Sequence, residues 1–195
     1  MSIIVLQNMQ ALFSHIQHIH PISTEAKSAL EKICKELSFT KNQTIQEIGH
    51  TCRTIYFVSK GVVRIYYYKD GIDITESFEF ENAFVARAES LFTGKPSQKA
   101  IQAIEDTHLI AIDSNKLFKL FDEHHDLERL FRKIIETSYV TTVNRIESLQ
   151  FHTAEERYNA LIKEAPDVLK RVPLKYIASY LGITQVSLSR IRAQK

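Results

Sequence analysis

Apolar positions change their spacing twice along the chain, and each change predicts a change of element. From residue 5 to 38 they recur at helical spacing, with Ala26, Leu30, Ile33, Cys34 and Leu37 on one face. Ser23 or Thr24 is placed to cap that segment. From Phe39 to about Ile112 the pattern shortens to strand-like runs divided by turn residues. Thr54–Ser59 predicts a strand, Lys60-Gly61 a turn, Val62–Tyr68 a second strand and Lys69-Asp70-Gly71 a tight hairpin. Asp73–Phe80 continues as a third strand. Gly94–Ser97 turns the chain, and Lys99–Glu105 and Leu109–Asp113 supply two more strands. Short strands at this spacing predict a sandwich or barrel rather than alternating strands and helices.

After Ser114 the helical period returns. Residues 114–121 predict a short helix. Leu127, Leu130, Phe131, Ile134 and Ile135, followed by Val140, Val143, Ile146 and Leu149, then predict one helix of about 25 residues, about 38 Å long, because neither Gly nor Pro interrupts 123–152. Such a stripe fits a core helix lying on the sandwich. It also fits a seam between two copies, and its length favours the seam, with Leu127, Leu130, Phe131, Ile134 and Ile135 as the pairing residues. Thr153-Ala-Glu-Glu156 has the spacing of a capping box and opens a helix to about Lys163. Pro166 ends it, and a short helix is expected at 167–170.

The chain has 195 residues, 44% apolar and 25% charged, with only 5 Gly and 4 Pro. This excludes a disordered, collagenous or linker-rich chain. Two cysteines, Cys34 and Cys52, cannot build a disulfide framework and are expected as reduced thiols of a cytoplasmic protein. The apolar start at Met1 lacks a basic flank and a cleavage site, so no signal peptide is expected. No apolar run reaches membrane-spanning length, and no membrane partner is expected. The overall charge of +2 hides an asymmetry. Residues 166–195 carry Lys170, Arg171, Lys175, Arg190, Arg192 and Lys195 against the single acid Asp167, a local charge of +5. The rest carries 19 bases and 22 acids, a charge of −3. A polyanion is the expected partner of the basic end.

Within that end, Pro173 suits the first turn of a helix whose apolar face is Ile177, Ala178 and Leu181. Gly182 permits the positive φ of a tight turn. Thr184 can cap a second helix with Leu188 and Ile191 facing inward. This is the layout of a helix-turn-helix: small Ala178 lets the helices cross, and Ile183, Leu188 and Ile191 fill the angle. Gln185, Val186, Ser187, Ser189 and Arg190 project outward. Arg190 can pair with guanine or phosphate and Gln185 can read adenine. Thr184 and Ser187 can bond phosphate, and Arg192 and Lys175 add charge beside them.

The order of sandwich, long helix and helix-turn-helix resembles the cAMP receptor protein and fumarate–nitrate regulator (Crp/Fnr) superfamily of bacterial transcription factors. The likeness is carried by Ile55-Tyr-Phe-Val-Ser-Lys-Gly-Val-Val-Arg-Ile-Tyr66 and by the segment from Leu174 to Arg192. It implies an α+β chain: a β-jelly-roll (double-stranded β-helix) sensor of the cyclic-nucleotide-binding type with N-terminal helices at 1–123, a dimerisation helix at 124–151 and a helix-turn-helix domain at 152–195. The β-wing that often follows is expected to be absent, which leaves phosphate contacts to Lys170, Arg171, Lys175 and the terminal bases. Double-stranded DNA and a second copy of the chain are the implied partners, with RNA polymerase as a further one. The reading helices would enter successive major grooves.

The resemblance also implies an effector pocket, with Phe84, Arg87, Glu89, Ser90, Gln98 and Lys99 in the sandwich and Thr141 and Thr142 on the long helix. Nucleotide-binding members hold the cyclic phosphate with an Arg and a small hydroxyl residue, and the ribose with a Glu. A gapless match puts Arg87-Ala88 over the Gly-Glu pair and Gln98-Lys99 over the Arg and the hydroxyl, with Ala100 kept. Neither anchor survives, which argues against cAMP. A different small ligand and an empty relic pocket both stay open. On the reading helix, related sequences often carry an acid where Val186 stands. Valine cannot accept from cytosine but can touch a thymine methyl, so a different operator is expected.

Other chemistry is thinly supported. His18-Ile-His20 has the first spacing of a cupin metal site, yet it lies in the helical N-terminus without partners. Two cysteines cannot hold an iron–sulfur cluster, and nothing singles out His50 or Cys52 for haem. No cofactor, metal or catalytic residue is expected. A cyclic-nucleotide or small-ligand module without DNA activity, and a jelly-roll metalloenzyme, remain the alternatives.

Overall fold

The computed structural model describes residues 3–193; Met1 and Lys195, which entered the reading of the two ends, lie outside the described residues. Helices α1 (Ile3–Ile19) and α2 (Thr24–Ile33) precede eight strands: β1 (Cys34–Phe39), β2 (Thr44–Gln46), β3 (Thr54–Lys60), β4 (Val63–Lys69), β5 (Ile72–Glu79), β6 (Phe84–Val85), β7 (Ala100–Ala103) and β8 (Thr107–Asp113). A short helix α3 (Ala88–Thr93) lies between β6 and β7. The helices α4 (Ser114–Glu123), α5 (His125–Phe151), α6 (Ala154–Glu164), α7 (Val168–Arg171), α8 (Leu174–Tyr180) and α9 (Gln185–Ala193) follow.

The strands form two antiparallel four-stranded sheets, ordered β1-β8-β3-β6 and β2-β7-β4-β5, the expected jelly-roll. Both faces of the first sheet are covered, which explains its unbroken apolar runs. Along β3 and β8, Tyr56, Val58, Leu109 and Ala111 point between the sheets with Val63, Ile65 and Ile101. Their neighbours Phe57, Ile110 and Ile112 point the other way, against Leu12 and Ile16 of α1, Leu30 of α2, Leu117 of α4 and Leu127, Leu130 and Phe131 of α5. The hairpin falls where it was expected: Asp70 (φ 52°) and Gly71 (φ 77°) make the two-residue turn that matches strand twist. Gly61, at φ 100°, admits no side chain, since a Cβ there would meet Thr107 Oγ1 at 2.5 Å.

Several expectations are corrected. The helical segment does not reach residue 38. Pro21 separates α1 from α2, Ser23 caps α2 by accepting from the Ala26 N–H at 3.2 Å, and the chain turns extended at Cys34. Cys34–Phe39 is an edge strand paired with β8, from Cys34↔Ile112 to Phe39↔Thr107. The spacing Ile33–Leu37 fits a period of two as well as one of 3.6, so pattern alone favoured the wrong element. The short elements β2, β6 and α3 had no periodic signal of their own. Leu127, Leu130 and Phe131 are buried in their own chain's core and are not available to a seam. Ile134 packs at the edge of that core, and of the five only Ile135 is exposed.

The last four helices share a core that reaches into the sandwich: Tyr158, Leu161, Val168, Val172, Ile177, Leu181 and Leu188 pack with Val62 and Ile104. The capping box at α6 is formed as expected. Thr153 Oγ1 accepts from the Glu156 N–H at 3.2 Å, and the Glu156 carboxylate accepts from the Thr153 N–H at 2.7 Å.

Candidate functional site

The first candidate surface is built by α8, a four-residue turn and α9. Gly182 adopts φ 68° and ends α8 in a Schellman arrangement: its N–H donates to the Ser179 carbonyl at 3.0 Å, and the Ile183 N–H reaches back to the Ala178 carbonyl at 3.0 Å. Thr184 Oγ1 then accepts from the Ser187 N–H at 3.1 Å and starts α9. Its hydroxyl also pairs with Ser187 Oγ at 3.0 Å, so both hydroxyls are engaged in the cap. Leu188 is buried and Ile191 half-buried, which turns the other face of α9 to solvent. Gln185, Val186, Ser189, Arg190 and Arg192 are exposed on it, Val186 by 62%. Lys175 is exposed on α8, its Nζ 4.7 Å from the Tyr176 ring centroid.

Two of the basic residues expected to face phosphate are otherwise engaged. Lys170 pairs with Asp167 at 2.8 Å. Arg171 spans two carboxylates of the sandwich, with Nη2 2.6 Å from Glu81 Oε1 and 2.5 Å from Glu105 Oε1. That clamp is a first polar tie between the C-terminal helices and the sandwich. In the second, Ser179 Oγ accepts from the Thr75 N–H at 2.9 Å and donates to the Asp73 carbonyl at 3.3 Å, closing the free edge of β5. The third is the buried Arg64. It forks onto Asp73 at 2.6 and 2.7 Å, and its guanidinium carbon lies 4.1 Å from the Tyr66 ring and 3.7 Å from that of Tyr176 on α8.

The second candidate site is a cavity of about 600 Å³ between β5, the β6–α3 segment and the middle of α5. Phe84, Arg87, Glu89, Thr141 and Thr142 line it, whereas Ser90, Gln98 and Lys99 do not. Ser90 is buried in the α3 loop, where its Oγ accepts from the Cys52 N–H at 2.8 Å and donates to the Lys95 carbonyl at 2.5 Å. Gln98 is exposed, and Lys99 is ion-paired with Glu76. The position expected to grip a cyclic phosphate therefore lies off the cavity. The wall also holds Glu76, Ser77, Glu79, Thr137, Ser138 and Arg145, which sequence reasoning missed. One signal was present: Thr137, Ser138, Thr141, Thr142 and Arg145 recur at helical spacing and form a polar stripe beside the apolar one.

Charge in this cavity is finely divided. Arg87 is 9% exposed, its Nη1 3.5 Å from Glu76 Oε1, and its Nε has no hydrogen-bond partner among the described residues. Burial pushes the Glu79 carboxyl up to about 7. The Ser77 hydroxyl, donating at 2.9 Å, opposes the rise, the nearby Glu76 adds to it and Arg87 counters it.

The remaining chemistry is sparse. Burial drives the Cys34 thiol up to about 12, so it stays protonated at neutral pH. Among the described residues no group of three or more His, Cys, Asp or Glu is placed to hold a metal ion. No described helix is long and apolar enough to cross a membrane.

A sandwich with a cavity, joined by a long helix to a helix-turn-helix, is the fold of the Crp/Fnr transcription regulators. FixK2 from Bradyrhizobium japonicum is similar at a TM-score of 0.72 and 22% identity, over 83% of this chain and 84% of that one. The c-di-GMP responsive global regulator CLP of Xanthomonas campestris is similar at 0.67 and 15%, over 88% and 91%. The catabolite activator protein of Thermus thermophilus is similar at 0.57 and 17%, over 90% and 84%. Residues 36–124 match the model of the cyclic nucleotide-binding domain family. No curated protein sequence matches the chain.

Proposed function

We propose that the chain is a dimeric, sequence-specific DNA-binding transcription regulator of the Crp/Fnr type, with an effector cavity no longer shaped for cyclic nucleotides. The observation that carries this reading is the surface of α9. The Gly182 turn and the Thr184 cap hold the helix at its N-terminus, and Gln185, Val186, Ser189, Arg190 and Arg192 stand free on one face. Arg190 and Gln185 supply the base contacts, Val186 an apolar contact to thymine, and Ser189, Arg192 and Lys175 the phosphate contacts. The exposed stripe of Ile135, Tyr139, Ile146 and Leu149 on α5 supports pairing with a second copy. It takes over the role expected of Leu127, Leu130 and Phe131. RNA polymerase is the further partner of such a regulator.

Selection of genomic fragments, followed by titration at two salt concentrations, tests the reading. A selected site is expected, and Arg190→Ala should weaken it by about 1–3 kcal/mol and relax one base position. Failure to select any site, or an affinity indifferent to Arg190→Ala, refutes it.

The match over 36–124 favours one second reading, a cyclic-nucleotide-binding module without DNA activity. Against it stand the exposed Gln98 and the Lys99–Glu76 pair, which leave no cation at the phosphate position. Calorimetry with cAMP and cGMP decides: heat at micromolar ligand supports the module, and none at millimolar ligand disposes of it.

A further inference from the structure

The Gly182 turn leaves two carbonyls without a backbone donor. Gly182 and Ile183 return their N–H groups to the carbonyls of Ser179 and Ala178, and the Leu181 N–H goes to that of Ile177. Among the described residues no backbone N–H reaches the carbonyls of Tyr180 and Leu181, the last two before the turn. Each is met instead by a guanidinium from another helix. Arg145 of α5 donates from Nη2 to the Tyr180 carbonyl, and its guanidinium carbon lies 3.8 Å from the Tyr180 ring centroid. Arg157 of α6 closes on the Leu181 carbonyl with Nε at 3.2 Å and Nη2 at 2.8 Å. Its Nη1 donates at 2.5 Å to the carbonyl of His152, the residue that caps the end of α5.

Both arginines are half-buried, and among the described residues neither is ion-paired with a carboxylate. Their hydrogen-bonding groups go to the turn and to the end of α5. A carbonyl left unpaired beside the buried Leu181 would cost free energy, and a cation there meets the negative end of the α8 dipole. A guanidinium adds direction, because its N–H groups leave a rigid plane. On the other side of the turn, a Cβ on Gly182 would lie 4.0 Å from Leu149 Cδ2 of α5. The turn is thus held from α5 and α6 and not by α8 and α9 alone. Helix α9 starts three residues after Gly182 and has nine residues, a length of about 13 Å. Tilting it by about 10° would move its far end by about 2 Å, where a base contact tolerates roughly 0.5 Å. Contacts to phosphate through long, flexible side chains tolerate more.

We infer that Arg145 and Arg157 are positioning residues for DNA recognition: they fix the Gly182 turn and so set the aim of α9 without themselves touching DNA. Arg157 carries the larger share, because it bridges the end of α5 to the turn. Their effect on DNA rests on the reading of α9 as the DNA-reading helix; their hold on the turn does not. Two affinities are separated as a result. Specific binding needs Arg190 and Gln185 at their bases, whereas non-specific binding needs only positive charge near phosphate. Loss of a positioning residue removes the first and spares the second.

The test compares the full chain with its Arg157→Gln, Arg157→Lys, Arg145→Gln and Arg192→Gln variants. Each is titrated, at several salt concentrations, with a duplex selected by the wild-type chain and with a random duplex of equal length. Hydrogen exchange of the Gly182 and Ile183 amides reads the turn, and that of Leu161 and Ile162 in α6 reads the fold. Arg157→Gln should weaken binding to the selected duplex about tenfold or more, the scale of hydrogen bonds to a charged group, and to the random duplex by about twofold at most. Its salt slope should match that of the wild type. Exchange at Gly182 and Ile183 should rise several-fold while Leu161 and Ile162 stay protected. Arg157→Lys, which keeps the charge, should recover part of both losses, and Arg145→Gln should show the same pattern more weakly. Arg192→Gln removes a phosphate contact and should instead weaken both duplexes and lower the salt slope by about one. Equal loss on the two duplexes with Arg157→Gln, a lowered salt slope, or unchanged exchange at the turn would each overturn the assignment. So would lost protection at Leu161 and Ile162 in all three Arg145 and Arg157 variants, since the arginines would then serve folding alone. A wild-type chain that selects no duplex defeats the DNA-binding reading and the DNA half of this one, and the exchange data still decide whether the arginines hold the turn.

Discussion

The two halves of α5 carry similar numbers of large apolar side chains in opposite surroundings. Its first three turns carry Leu127, Leu130 and Phe131 into a core shared with α1, α2, α4 and the outer face of the first sheet. Beyond Ile134 the helix leaves that core, and Ile135, Tyr139, Val140, Ile146, Leu149 and Phe151 are each exposed by roughly half or more. The cavity sits at the crossover, lined by the stretch from Ile134 to Arg145. One helix thus serves as a core element, a cavity wall and a free apolar edge in succession. An apolar stripe reports that something covers it; whether the cover is the same chain or another depends on where neighbouring elements end.

The largest test of this contrast is in the buried half. Leu130→Ala should lower unfolding stability by about 2–5 kcal/mol, measured by denaturant titration, with the loss independent of protein concentration. A loss below 1 kcal/mol would mean that this half is not core. In the exposed half the opposite behaviour is expected. Ile146→Glu or Leu149→Glu should leave the fold of the monomer intact while raising the dimer dissociation constant by about a hundredfold, or about 2.7 kcal/mol, in sedimentation. Wild-type chain that sediments as a monomer at micromolar concentration would remove the seam altogether.

The smallest effect belongs to the crossover. Glu79 ionises near 7 in the folded chain and near its ordinary 4.5 when unfolded. Between those values the folded state binds the extra proton, so stability should fall as pH rises from about 4.5 to 7 and level off above. Glu79→Gln should flatten that slope. An unchanged pH profile in thermal melts would show that Glu79 does not carry the effect.

Features read correctly along the chain are those completed within a few residues. The Asp70-Gly71 hairpin, the Thr153–Glu156 capping box and the turn at Gly182 each close a hydrogen bond between near neighbours, so their residue types announce them. The strand β1 was missed because its ladder lies on β8, more than sixty residues away, and an edge strand of mixed burial has little alternation of its own. The candidate site divides in the same way. Gln185, Val186, Ser189 and Arg190 were legible because helical spacing assigns their face. Of the expected pocket residues, Phe84, Arg87, Glu89, Thr141 and Thr142 reach the cavity, while Ser90, Gln98 and Lys99 do not. Loop side chains over a short helix have no period from which their direction can be read.

By itself, then, the sequence determined the succession of elements from β3 onward apart from the short β6 and α3, the geometry of the α8–α9 turn and the concentration of positive charge in the last thirty residues. Each follows from local backbone preference, helical or strand spacing, or the simple sum of charges. Only the tertiary structure decided that Leu127, Leu130 and Phe131 are core and that Arg145 joins the cavity to α8. It also decided that Arg171 is tied to the sandwich at Glu81, ninety positions away, and is not free to meet a phosphate. The physical reason is that burial and ion pairing depend on which side chains the fold brings together, and those partners lie far apart along the chain.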